Sequence, residues 1–307
     1  MNSIADPSIE ARAKIANAAA VAAQTPGYWH GVWKRLRRDK VAMVCLSVLG
    51  IIVFSALFAP WVGAALGLPD PTKGSMLLRL SPLGTPNHPL GTDELGRDML
   101  TRLIHGGRLS LLMGITPVVY ALVIGTVLGV TAGFISGKTN AIIMRTVDVF
   151  YAFPSVLLAV AISGALGAGI TNALLALTVV FIPPIARVAE SVTTQVRSLD
   201  FVEAARASGA NAFTIIRVHI LGNVLGPIFV YATSLVSVAM ILASGLSFLG
   251  LGTRPPDPEW GLMLNTLRTA IYTQTAIAAL PGVMIFIVSI SFNLISDGLR
   301  SAMDVQR

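Results

Sequence analysis

Charge is what this sequence has least of. Only 12% of its 307 residues are Asp, Glu, Lys or Arg, about half of the ~25% carried by a soluble domain. That leaves too little to clothe a water-facing surface. Cysteine is nearly absent, and a lone Cys45 excludes both an intramolecular disulfide and a cysteine metal cluster. Histidine is scarce and scattered: His30, His88, His105 and His219 share no metal-ligand spacing, so no metal site is expected. The serines lack a nucleophile-elbow context. With no clustered acid, base or ligand, the chain is expected to be non-catalytic and to carry no cofactor of its own.

Apolar residues are what is present, at 54% of the chain with a mean hydropathy of +0.75. This is the composition of an all-α polytopic membrane protein. Six transmembrane helices are expected at about 41–62, 109–134, 141–163, 170–190, 221–244 and 277–297, each near the ~20 residues that cross the hydrocarbon. Arg145 and Asp148 fall near the start of the third, where they can pair at i, i+3 or reach the interface. Pro183-Pro184 should kink the fourth.

Basic residues set the orientation. With both termini cytoplasmic, segments 1–40, 135–145, 186–220 and 298–307 hold 15 of the 22 Lys and Arg, against 7 in 63–108 and 246–276. The chain then divides into a basic N-terminal tail (1–40), a first span (41–62), an outer segment (63–108), a membrane core (109–297) and a short C-terminal tail (298–307). Residues 1–27 read as a loosely ordered tail with some helix. The run Lys34, Arg35, Arg37, Arg38, Lys40 is topogenic and attracts anionic membrane lipid. No aromatic or sheet module accompanies it, so nucleic acid is not an expected partner.

Within the core, the polar segment 198–220 stands out between apolar runs. It reads as two short helices and a turn. Asp200 can cap the first, with Glu203 three residues on closing a capping box. Gly209 permits the stop and Asn211 starts the second helix. Ala204 and Ala205 leave one side smooth enough for another protein to approach; an ordinary amphipathic loop is the plain alternative. His219 beside it is expected to make a structural hydrogen bond.

Other stretches carry weaker signals. Gly125, Gly129, Gly133 and Gly137 form a small-xxx-small stripe for close helix packing, with the partner helix open. Residues 132–139, AGFISGKT, miss the first glycine of a P-loop and lack a preceding strand, so they read as a turn. Phe150, Tyr151 and Phe153 precede Pro154 in the third span; a tyrosine there either packs or faces a translocation path. In the outer segment Thr92 or Asp93 can cap a helix, and Arg97, Arg102 and Arg108 can snorkel or pair locally. Beyond the fifth span, Gly- and Pro-rich residues 245–261 exclude a regular helix, and Trp260 suits a membrane boundary.

Three of these stretches carry a family resemblance that covers about 34–300. Glu203-Ala204-Ala205, Gly209 and Ile220-Leu221 resemble the EAA loop of ABC-importer permeases, with Gly222 where that family usually has proline and Pro227 following later. The helix break after the loop should therefore fall later or be softer. Residues 91–98, GTDELGRD, followed by Arg102 and Gly107-Arg108-Leu109-Ser110, are similar to the dipeptide, oligopeptide and nickel branch. SFLGLG at 247–252 and PPDPEWG at 255–261 resemble its external gate region.

The resemblance implies a type I ABC-importer permease fold in a bacterial inner membrane. Its cytoplasmic coupling helix would use Asp200, Glu203, Ala204, Ala205, Arg206, Gly209 and Ala210 to dock an ATPase. Tyr151, Phe153 and Pro154 would line the path, and Phe248, Pro256, Glu259 and Trp260 would form the external gate and binding-protein contact. Implied partners are a second homologous permease, usually a different chain, and two ATPases that bind ATP and Mg. A periplasmic or lipid-anchored binding protein would deliver peptides, opines, glutathione or nickel chelates. ATP binding would rock the spans between inward-open and outward-open states. The alternative is an ATP-independent carrier or channel, which would need intramembrane charges or a broken-helix ion site at the midplane.

Overall fold

Backbone polar groups in hydrocarbon must be satisfied within their own segment, so each apolar run has to become a helix. The computed structural model describes residues 28–303 and bears this out; the readings of 1–27 and of the last four residues lie outside the described range. Among the described residues there is no strand, only two isolated bridges, Thr85 to His88 and Thr92 to Asp98.

Helix α1 (Tyr28–Leu36) is amphipathic. Val32 and Leu36 bury against Ala42 and Ala302, and Arg35 Nε donates to the Ala302 carbonyl at 2.6 Å. Asp39 caps α2 (Lys40–Leu57), accepting from the amides of Val41 and Ala42. The first span stops there; Pro60 sits in the first turn of a separate short helix, α3 (Ala59–Ala65). After the outer segment comes α4 (Met99–Ile135), 37 residues long and so about 55 Å.

The third span departs from expectation. It is two helices, α5 (Gly137–Tyr151) and α6 (Ser155–Leu166), bent by 87°. Pro154 has no N–H to donate and disfavours helical backbone at the residue before it, so Ala152, Phe153 and Pro154 become a corner. Among the described residues five single helices are long and apolar enough to cross a membrane, six if this bent pair is counted as one span. Pro183 and Pro184 lie inside α7 (Ile170–Arg197), which continues through both.

Short α8 (Asp200–Ala207) follows, then a turn at Ala212–Thr214, then α9 (Leu221–Phe248). Helices α10 (Trp260–Thr266) and α11 (Thr275–Met303) complete the chain. Contacts fix which ends lie together. Trp260 bonds Leu103 at the start of α4, and Gly169 bonds Leu251. At the other end Arg197 bonds Phe134 and Gly298 meets Leu36, Asp39 and Ala42. The segments read as cytoplasmic from their basic content therefore share one end of the bundle.

The glycine stripe finds its partner within this chain. It packs α4 directly on α7: a Cβ on Gly129 would press into the Ala186 carbonyl and lie 2.5 Å from Ala189 Cβ. On Gly133 it would lie 2.7 Å from the Glu190 oxygen, and on Gly125 3.0 Å from that of Ile182. Gly137 leaves the stripe: it has open space around it and a φ of +59° that starts α5. Gly129→Ala should destabilise the chain by about 1–3 kcal/mol through overpacking. Gly50, where an added Cβ meets nothing within 4 Å, should accept alanine without loss. Equal thermal midpoints for the two variants in detergent would refute the contact.

Candidate functional site

The segment between α7 and α9 is built from local rules. Helix α8 starts from Leu199, which supplies no side-chain cap. The expected capping box is thus absent. Asp200 is the first helical residue, and it and Glu203 favour the helix as first-turn acids near the positive end of its dipole. The far end is a Schellman stop: Gly209, at φ +82°, donates to the Arg206 carbonyl at 3.0 Å and Ala210 to that of Ala205 at 3.1 Å. Asn211 caps the next turn, accepting from the Thr214 amide at 2.8 Å.

What holds this element to the bundle is apolar. Val202 is fully buried. Phe201 meets the ring of His219 at 6.2 Å, in place of the hydrogen bond expected for that histidine. Arg206 lies over Phe134 at the end of α4, 5.4 Å from the ring centre. Asp200, Glu203, Ala204 and Gly209 remain exposed, whereas Ala205 and Ala210 are half-buried against the core. The smooth side is therefore narrower than the sequence suggested. Nearby, Asn140 of α5 donates to Glu190 of α7 at 2.7 Å and to the Ala132 carbonyl at 3.2 Å, tying three helices together.

Gly222 brings no break. The chain runs from Ala212 to Phe248 as one span, with residues Ile215–Ile220 π-helical and Pro227 inside α9. The softer junction expected from the missing proline takes the form of that widened turn.

The corner between α5 and α6 opens a cavity of about 460 Å³. Tyr151, Phe153 and Pro154 line it from one side, Phe181 and Pro184 from α7, and Tyr231 and Leu235 from α9. Tyr151 and Phe153 are each more than half exposed. Asp148 pairs with Arg187 of α7 rather than with Arg145, and the Arg187 guanidinium lies 5.7 Å from the centre of the Tyr151 ring. Spacing along one helix could not show a partner 39 positions away.

The other end is a buried polar knot. Asp98, not Thr92 or Asp93, caps α4, accepting from the Thr101 amide and hydroxyl at 2.7 Å and from His88 at 2.9 Å. Arg97 and Arg102 do not snorkel; they are 4% and 2% exposed. Arg97 Nε donates to Asp93 Oδ2 at 2.6 Å and its Nη2 to Glu94 at 2.9 Å. Arg102 Nε stands 3.1 Å from the same Asp93 oxygen, off the line of a directed hydrogen bond, so charge alone pairs them. Arg108 donates instead to the Ala56 and Leu57 carbonyls at the end of α2.

Glu259 and Trp260 are also buried, at 1% and 0% exposure, and this corrects their reading as an external contact. Glu259 caps α10 and accepts from Ser110 Oγ at 3.1 Å; Trp260 Nε1 donates to the Leu103 carbonyl at 2.9 Å. Their bonds pin the 249–261 loop onto α4. Phe248 and Pro256 stay exposed. Among the described residues no group of His, Cys, Asp and Glu is placed to hold a metal ion.

Residues 125–305 match the family described as "Binding-protein-dependent transport system inner membrane component", and 27–70 match "N-terminal TM domain of oligopeptide transport permease C". The chain is 41% identical over 277 residues to the di/tripeptide transport system permease protein DppC of Pseudomonas aeruginosa, covering 89% of this chain and 90% of that one. It is 38% identical to the glutathione transport system permease protein GsiD of Pectobacterium atrosepticum, with 90% of each covered. Its fold is similar to that of the MetNI methionine ABC transporter in inward-facing conformations, with a TM-score of 0.56 at 21% identity over 66% of this chain and 97% of that one. The chain thus belongs to the inner-membrane components of binding-protein-dependent transport systems, in their dipeptide and oligopeptide branch, and is the permease subunit of an ABC importer.

Proposed function

We propose that this permease is coupled to ATP hydrolysis through the exposed face of α8, with Asp200, Glu203, Ala204 and Arg206 as the contact and Gly209-Ala210 as its fixed hinge. One observation carries the reading. An exposed helix with acids in its first turn is closed at its far end by the Gly209 stop and plugged into the bundle by Val202, so a push on it is transmitted rather than absorbed. In this reading both termini and α8 are cytoplasmic, as the basic-residue bias favours. Two partner ATPases bind ATP and Mg, and this chain itself catalyses nothing. A second homologous permease, of different sequence, supplies the other half of the path. The cavity beside Tyr151, Phe153 and Pro154 is this chain's part of that path. An external binding protein meets the exposed Phe248 and Pro256. The relatives' names support peptides, glutathione included, as the substrate class.

A single cysteine tests the topology. In a Cys45→Ala background, Ala204→Cys should react with a membrane-impermeant maleimide in inverted vesicles only, and the ATPases should protect it. Labelling from outside intact cells would overturn the assignment.

A further inference from the structure

The pair Arg187–Asp148 is the one ion pair of the described residues that stands open rather than buried. Its side chains are 49% and 48% exposed. Arg187 lies ten residues before the end of α7 at Arg197, about 15 Å along the helix axis. A half-exposed guanidinium and carboxylate would be costly against hydrocarbon. The face they share is therefore turned to water or to protein. What lies beside it is the cavity: Tyr151, under the guanidinium, and Pro184, one turn before Arg187, both line it.

We propose that Arg187 receives the carboxylate of the translocated peptide, with Asp148 as the anion that occupies it between transport events. This rests on the reading of the cavity as part of the path. Asp148 engages only Nη2 of Arg187, leaving the rest of the planar fork for a second carboxylate. An open pair of this kind is held weakly, so a competing anion can displace it. A peptide zwitterion brings both charges: its carboxylate takes the arginine and its ammonium takes Asp148. Neither side chain is left bare during the exchange, and the Tyr151 and Tyr231 rings offer an apolar wall for the peptide's side chains. Selection here acts on the termini that all peptides share, so this chain passes many sequences while rejecting solutes without a carboxylate.

The test uses the whole importer in proteoliposomes, supplied with a defined pool of dipeptides, tripeptides and glutathione, with imported species measured by mass spectrometry. Arg187→Gln should lower import of every species about tenfold while binding-protein-stimulated ATP hydrolysis stays within twofold. Arg187→Lys should recover part of the import. The exchanged pair Asp148→Arg with Arg187→Asp should not recover it, because a mere clip between α5 and α7 would work in either orientation. Wild-type import by Arg187→Gln, full recovery by the exchanged pair, or a parallel fall in ATP hydrolysis would each overturn the proposal. The underlying path has its own readout: Tyr151→Cys in the Cys45→Ala background, tagged with a bulky thiol reagent, should block import. Unchanged import after tagging means the cavity is not on the path; a block together with normal Arg187→Gln import means only the carboxylate role is lost.

Discussion

Glu203→Lys is expected to abolish uptake by the assembled importer while the chain still inserts and folds. Glu203 is exposed, and among the described residues nothing within the chain uses its carboxylate. Reversing its charge costs the fold only the first-turn dipole interaction, about 0.3–1 kcal/mol. At an interface the accounting differs. Truncating one partner of a desolvated charge pair costs about 2–5 kcal/mol, and reversal adds repulsion. A loss of about 3 kcal/mol already lowers affinity roughly a hundredfold. The decisive comparison is ATPase retention on the purified permease against its thermal midpoint. Retained ATPase and normal uptake in the lysine variant would end the docking assignment, and a lowered midpoint would move its cause into the fold.

Asp93→Ala should be the most destabilising single carboxylate removal in the chain. Asp93 Oδ1 accepts from the amides of Leu95 and Arg97, and Oδ2 faces two arginines, all within a buried loop. Removing it leaves Arg97 and Arg102 to Glu94, backbone carbonyls and the charge of Asp257. Breaking a buried pair in this way costs about 3–5 kcal/mol. The loop carries the cap of α4, so its loss should loosen the start of the longest helix. Asp70 is the control: it is exposed and its carboxylate accepts from the nearby Thr72 on the same turn. Its alanine variant should melt with the wild type, and an equal midpoint for Asp93→Ala would show that the knot contributes nothing.

Periodicity and apolar runs made the helices legible, because a membrane segment has few alternatives to helix. Pro154 was read inside one continuous span, and the 87° bend that splits the chain there was not foreseen. The local stop at Gly209 and the cap at Asn211 could be read because each depends on residues within one turn. Asp200 misled because an acid near a helix start suits both the cap and the first turn; only backbone geometry separates them. Glu259 and Trp260 were read as surface because their partners, Ser110 and Leu103, lie about 150 positions away. The same holds for Asp148 and Arg187. The glycine stripe declared a close approach without naming the helix that makes it.

That approach has a mechanical result. At Gly125, Gly129 and Gly133 the backbone of α4 is seated directly on Ile185, Ala189 and Thr193 of α7, so the two helices are expected to swing as one plate. Any rocking of the importer is then confined to the corner at Ala152–Pro154 and the widened turn at Ile215–Ile220. Spin labels placed one on each of the two plated helices would keep a constant separation through the whole transport cycle, and so serve as a fixed ruler against which every moving part is measured.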